Sequence, residues 1–355
     1  MAEPGSLRRV LRRAFGSALP IVCSFGLSMA AADAQQPVPG EPDRPNGFVL
    51  EPLTVPRASV VEGGPARDAI RSVDAPRFVP PAEARWVAAD TPIIGVATDG
   101  RARAYPVHLM EWHQVVNERV GDASWLVVYD PLTDVAGAWR SNATPAPDSF
   151  GVSGLLDGFG FLLFDRATSS LWSPLSGRAI SGPRAGEGLV PMRVRVETMA
   201  RWLARHPDTL VLALPERDRI DYRLSPYSSY WISDDVPLAV TDRDDRFHPK
   251  EVVLGVEAGG RSRAYIASIV TRAGGRIVDE FASQRIRIEY DGESGTFSYD
   301  APEAIRVQSA YWFAWKNRHP ATDIWREDLA GAPIGGLPNR TPDGVREPDP
   351  RTPAP

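Results

Sequence analysis

The chain has 355 residues, of which 43% are hydrophobic, 24% charged and 9% aromatic, enough to bury a full-sized core; this excludes a disordered or fibrous protein. Forty Lys plus Arg against forty-five Asp plus Glu give a net charge of −5, which lacks the basic footprint of a nucleic-acid binder. Only two of the forty cations are lysines, Lys250 and Lys316, so a lysine-based covalent mechanism has just two candidates.

The first 34 residues read as a secretory signal. Arg8, Arg9, Arg12 and Arg13 form a positive n-region, Ala18 to Ala32 an apolar stretch too short to span a bilayer, and Ala32-Asp33-Ala34 a cleavage site. Arg12-Arg13-Ala14-Phe15 also partly matches a twin-arginine signal, although Leu11 stands where Ser or Thr is usual. Cleavage after Ala34 removes four Arg and two acids, leaving 36 basic against 43 acidic side chains and a charge of −7. No later stretch has the roughly 18 apolar residues of a membrane span. The expectation is an exported protein, periplasmic or secreted, without a membrane span after cleavage. The sole cysteine, Cys23, lies within the signal, so the mature chain has no disulfide, thiolate nucleophile or cysteine metal ligand.

Along the mature chain, residues 35–59 read as a Pro-rich linker, 60–330 as the folded body and 331–355 as a disordered tail. The body carries an internal repeat. IIGVATDGRARAYP at 93–106 aligns with VLGVEAGGRSRAYI at 253–266 with seven identities in fourteen positions, and WLARHPDT at 202–209 is echoed by WKNRHPAT at 315–322. Tyr129-Asp130 likewise recurs as Tyr290-Asp291. The implied division is a first unit at about 75–215, a connector at about 216–250 and a shorter second unit at about 251–330.

In chain order, residues 93–97 and 101–105 are strands turned by Asp99-Gly100, because glycine takes positive φ without steric cost. A helix follows over 107–119, with Leu109, His113 and Val116 on one face. Strands are expected at about 124–129, 149–153, 159–165 and 209–214, and helices at about 196–205, stopped by Pro207, and at 308–318. The predicted fold class is α+β: strand-rich, in two related repeat units, each with a β-hairpin followed by a helix.

Three stretches together resemble the bacterial Domain of Unknown Function 3179 family: IIGVATDGRARAYPVHLMEWHQVVNERVG from residue 93, FGVSGLLDGFGFLLFDRATSSLWSPLSGRAISGP at 150–183, and WLARHPDTLVLA at 202–213. The resemblance covers about 75–325 and brings no established reaction. It implies a Cys-Pro-Leu-Cys signature after the strand that ends at Tyr129, which looks like a thiol-redox or metal site. In this chain Asp130-Pro131-Leu132-Thr133 stands there, so neither cysteine is present.

The candidate catalytic residues are His113, Asp130 and Asp165. His113 matches the family's Trp-His phrase and could act as general base or, with Asp130, as ligand to a divalent metal; its structural alternative is a core histidine bonded to a strand carbonyl. Asp130 and Asp134 flank the Pro-Leu loop, where aspartate also serves as a turn cap. Asp165-Arg166 closes an apolar strand, either as a site or as a buried pair bracing two strands. Candidate ligand contacts are Ser153, Arg166, Trp172, Tyr227, Tyr230 and Trp231, the last three in an aromatic cluster with Tyr222 and the acids Asp234 and Asp235 that suits cationic or sugar ligands. Ser153 lies in Gly-Val-Ser-Gly, which departs from the spacing of a serine-hydrolase elbow. His206 and His319 follow helix ends in repeated Arg-His-Pro phrases and read as structural caps. Three function classes follow: an exported protein that binds a small ligand, ion or partner protein; an enzyme using His113 with Asp130 or Asp165; and a structural module with a degenerate site.

Overall fold

Tight turns organise this chain. A computed structural model describes residues 44–121, 123–141, 149–157, 160–215, 220–236 and 244–326; the signal, residues 35–43 of the Pro-rich linker and the tail lie outside the described residues. Asp99 and Gly100 turn at φ 51° and 71°, joining Pro92–Thr98 to Arg101–Pro106 in an antiparallel hairpin, and Gly259 and Gly260 do the same at 57° and 75° between Val252–Ala258 and Arg261–Ile266. Two successive positive φ values match the right-handed twist of the flanking strands.

The α+β expectation is corrected by what these hairpins join. The protein is 43% strand and 15% helix, with five small sheets disposed as the blades of a five-bladed β-propeller. Its helices are too short to form a layer: α1 (Val107–His113), α2 (Met199–Arg205), α3 (Ser228–Ile232), α4 (Ala267–Arg272) and α5 (Trp312–Arg318) are none longer than seven residues. Helices of under two turns are held by tertiary packing rather than by their own propensity. The predicted helix 107–119 ends at His113, because Gln114 takes a left-handed φ of 59° and Val115–Val120 becomes a strand, as β-branched Val115 and Val116 favour.

Four of the five sheets also take strands from distant parts of the chain. The first hairpin lies in the order Val194–Thr198, Pro92–Thr98, Arg101–Pro106, Leu210–Leu212, Phe78–Val79, and the second in the order Arg306–Tyr311, Val252–Ala258, Arg261–Ile266, Asp323–Ile324. In both, the strand before the hairpin in this order is antiparallel to it and the returning strand after it is parallel. Two further sheets are meanders, Val115–Val120 with Ala123–Asp130, Val135–Ser141 and Val190–Pro191, and Arg276–Phe281 with Gln284–Asp291 and Thr296–Asp300. The fifth runs Val60–Glu62, Phe150–Asp157, Gly160–Asp165, Leu171–Ser173, Arg178–Ala179.

One packing unit occurs twice. The ring of Trp202 in α2 presses on Gly95, where a Cβ would lie 2.4 Å from it, and Trp315 in α5 presses on Gly255, where the distance would be 2.2 Å. Each indole N–H donates to a threonine beyond the helix, Trp202 to Thr209 at 2.9 Å and Trp315 to Thr322 at 3.0 Å. The histidines after these helices stack on the same rings, His206 at 4.1 Å and His319 at 4.0 Å between centroids. A helix is thereby fixed to its hairpin with little freedom to slide.

Candidate functional site

Among the described residues, three hairpins close with a four-residue loop that an aspartate opens and a residue of positive φ ends. The pairs are Asp130 with Asp134 (φ 55°), Asp165 with Ser169 (φ 59°) and Asp291 with Gly295 (φ 64°). In each, the carboxylate accepts a backbone N–H of its own loop: Leu132 at 3.0 Å, Thr168 at 2.7 Å and Glu293 at 3.0 Å. Aspartate favours such positions because its short side chain satisfies N–H groups that the turn leaves unpaired. The turn role is therefore common to all three, and burial separates them: Asp291 is partly exposed, whereas Asp130 and Asp165 are buried.

Asp165 is fully engaged. Beyond the Thr168 N–H it accepts the Thr168 hydroxyl at 2.8 Å and the Trp172 indole N–H at 2.9 Å. The pairing with its sequence neighbour is not formed; Arg166 points the other way, to Asp68 at 2.8 Å, the Phe150 carbonyl at 2.9 Å and Ser72 at 3.1 Å. Ser153 sits inside a bulge where the register shifts between Val152 and Leu156, donating to the Leu162 carbonyl at 2.6 Å and accepting from the Leu155 N–H at 3.0 Å. It closes the bulge, as buried hydroxyls in irregular strands do. In His113, Nδ1 lies 2.8 Å from the Arg71 carbonyl and Nε2 2.7 Å from the Tyr222 hydroxyl. Both ring nitrogens are engaged, so neither faces a metal shared with Asp130.

The other predicted residues converge on one place, the turn Pro131–Asp134. Turns are normally solvated, because a buried one must satisfy each of its carbonyls. Here α3 lies over it: Tyr230 donates to the Leu132 carbonyl at 2.8 Å and the Trp231 indole to the Pro131 carbonyl at 3.4 Å, while the Tyr311 N–H reaches the Thr133 carbonyl at 2.7 Å. Lys250 ties α3 down in turn. Its buried ammonium donates to the carbonyls of Tyr230 and Ser233 and sits 3.7 Å from the centre of the Tyr230 ring. Asp134 is buried beneath and accepts from the Tyr129 hydroxyl at 2.8 Å.

Asp130 is the other buried carboxyl of this arrangement. Its second oxygen meets the Phe161 N–H at 3.3 Å, and burial pushes its pKa up to about 6, against the opposing pull of the Thr133 hydroxyl and three backbone N–H groups. No cation contributes to that balance. The charge reaches upward, since Tyr227 and Tyr230 are both raised well above the usual phenol pKa, by burial first and by Asp130 second.

Two buried polar atoms around this turn and the α3 tyrosines that cover it also lack hydrogen-bond partners. The Gln114 amide bonds the Tyr227 hydroxyl at 2.6 Å, leaving its other end unpaired, and the Thr133 hydroxyl meets no partner in hydrogen-bond geometry although it lies close enough to favour the ionised carboxylate. Such groups cost about 1 to 3 kcal/mol each when left unmade. Gln114 was not readable from sequence, where nothing marks a glutamine at a helix end for left-handed backbone. A thiol-redox or thiolate-bound group, as the resemblance implies, does not fit this turn, because Asp130 and Thr133 supply oxygen only. Among the described residues no group of three or more His, Cys, Asp or Glu side chains is placed to hold a metal ion.

The raised Asp130 pKa makes a pH prediction. A carboxyl that titrates near 3.8 when unfolded and near 6 when folded binds more protons in the folded state between these values, so its stabilising contribution is complete below about pH 4 and is lost as pH rises through 6. At about 1.4 kcal/mol per pH unit this amounts to about 3 kcal/mol. Urea unfolding from pH 4 to 8 should show wild type losing that amount relative to Asp130→Asn; parallel curves would refute it.

Comparison with known proteins gives one match. The family model described as "Protein of unknown function (DUF3179)" aligns with residues 67–301, which take in the first hairpin, the Asp130 turn, α3 and the second hairpin. No curated protein and no solved structure matches the chain. With well over half of its length inside that one alignment, the chain belongs to the Domain of Unknown Function 3179 family.

Proposed function

We propose that this is an exported binding protein whose site for a small ligand or ion is the Asp130 turn beneath α3. The observation that carries the reading is the combination at that turn of a buried carboxyl raised to about 6 with two unpaired buried polar groups, on Gln114 and Thr133. Buried polar groups are nearly always satisfied, and exceptions concentrate where something else binds. The enzyme reading has less support, because His113 and Asp165 are each held by structural hydrogen bonds. Export rests on the arginine n-region and the Ala32-Asp33-Ala34 site. No helix among the described residues is long and apolar enough to cross a membrane.

One experiment tests both parts. Native mass spectrometry of protein expressed from the full-length gene and recovered from the periplasm or medium should give a polypeptide beginning at Gln35 that carries a non-covalent adduct. The adduct should be lost in Asp130→Asn. An adduct-free spectrum for wild type, on protein that is folded by circular dichroism, overturns the binding reading, and a chain retaining residues 1–34 overturns export.

A further inference from the structure

The nature of the occupant can be read from what surrounds Asp130, an inference that rests on the binding reading above. An ionised carboxylate offers about four lone-pair positions. The Leu132 and Phe161 N–H groups take one on each oxygen, and the Thr133 hydroxyl and N–H lie close enough to bear on the others. Backbone N–H groups supply dipoles, not charge, and a buried ion without a countercharge is the costliest polar group a fold can contain. Among the described residues Asp130 forms no ion pair and no cation bears on it. Lys250, which could have served, directs its ammonium to the carbonyls of Tyr230 and Ser233 instead. Arg166 is taken up by Asp68 and Asp74.

The unpaired groups beside it carry the same chemistry. Thr133 presents a hydroxyl oxygen and Gln114 an amide, both on buried side chains with 0% and 3% exposure. Gln114 is tied to the strand that ends at Asp130, where its carbonyl accepts the Tyr129 N–H at 2.9 Å, and its side chain bonds Tyr227, a ring that feels the Asp130 charge. Carboxylate, hydroxyl and amide oxygens are the donor set of hard cations, and equally of an ammonium group, whose N–H bonds need the same acceptors. A water molecule would satisfy the hydrogen bonds but not the charge. The related turn in the second half supports the distinction: Asp291 opens the same loop, yet it is partly exposed and needs no partner to neutralise it.

We propose that the Asp130 turn binds a small cation, through the Asp130 carboxylate, the Thr133 hydroxyl and the Gln114 amide oxygen. The shared chemistry covers a hard metal ion and a primary ammonium group, and the test separates them.

Full-length protein, expressed and processed as above, is stripped by dialysis against chelator and then unfolded thermally in a tetramethylammonium buffer of fixed ionic strength. Sodium, potassium, magnesium, calcium and methylammonium chlorides are titrated in separately. One of them should raise the melting temperature saturably, by about 5 °C at a hundredfold excess over its dissociation constant. Asp130→Asn should abolish the shift, and Thr133→Val should weaken the apparent affinity about tenfold or more. A metal arm that responds identifies an ion site, and a methylammonium arm alone identifies an amine site; either supports the proposal. If none responds while the mass spectrum shows an Asp130-dependent adduct, the ligand is neutral and the cation proposal falls with binding intact. If neither appears, both fall. A shift of equal size in wild type and Asp130→Asn is a general salt effect and also overturns it.

Discussion

Replacing Gly255 by alanine is expected to destabilise the protein by about 3 kcal/mol, through overpacking of a kind that cores tolerate poorly. The added methyl would sit 2.2 Å from the Trp315 ring, and that ring cannot retreat. Its N–H is held by Thr322 at 3.0 Å, and His319 covers it at 4.0 Å between centroids. For a body of this size the melting temperature should drop by about 6 to 12 °C. Trp315→Leu in the same chain should relieve part of the loss, giving a double variant more stable than the sum of the single changes. Gly292→Ala is the control, since nothing lies within 4 Å of a Cβ there; it should leave the melting temperature within about 2 °C of wild type. If Gly255→Ala melts with the control, the ring is not fixed in the way described.

Asp165→Ala is expected to cost about 4 kcal/mol, because it leaves the Thr168 N–H, the Thr168 hydroxyl and the Trp172 N–H without their acceptor in a buried setting. Asp165→Asn should cost about half as much. Its amide oxygen can keep the Thr168 bonds, while its NH2 faces the Trp172 donor. Denaturant unfolding, followed by near-ultraviolet dichroism of Trp172 and its edge-on neighbour Phe150, 5.6 Å away between centroids, measures both. A variant with wild-type stability would return Asp165 to the list of candidate catalytic groups.

The parts of this protein that could be read from sequence are those set by a few adjacent residues. Asp99-Gly100 and Gly259-Gly260 specify their turns locally, and the strands expected on either side of the first are where the structure has them. What could not be read depends on distance along the chain. Val194–Thr198 and Leu210–Leu212 join the first hairpin across about a hundred residues, and no local pattern assigns them to that sheet rather than another. The same reason misled the pairing of Asp165 with Arg166: adjacent residues at a strand end point apart, and Arg166 finds Asp68 nearly a hundred positions earlier. At the site, the aromatic cluster and Asp130 were each visible, but their meeting was not. It requires the connector to fold α3 back over a turn made about a hundred residues before.

The Lys250 tether also matters for practical chemistry. With its ammonium enclosed under α3, the protein offers one other lysine, Lys316, whose amine lies at the surface against the Pro320 carbonyl. Amine-directed reagents should therefore couple to the folded chain at Lys316 and at the amino terminus. A fluorophore coupled at Lys316 would sit on the outer side of α5, the helix whose Trp315 packs on the second hairpin, and would report on its release. Acylation at Lys250 would appear only once α3 had lifted, which makes this side chain a chemical clock for exposure of the Asp130 turn.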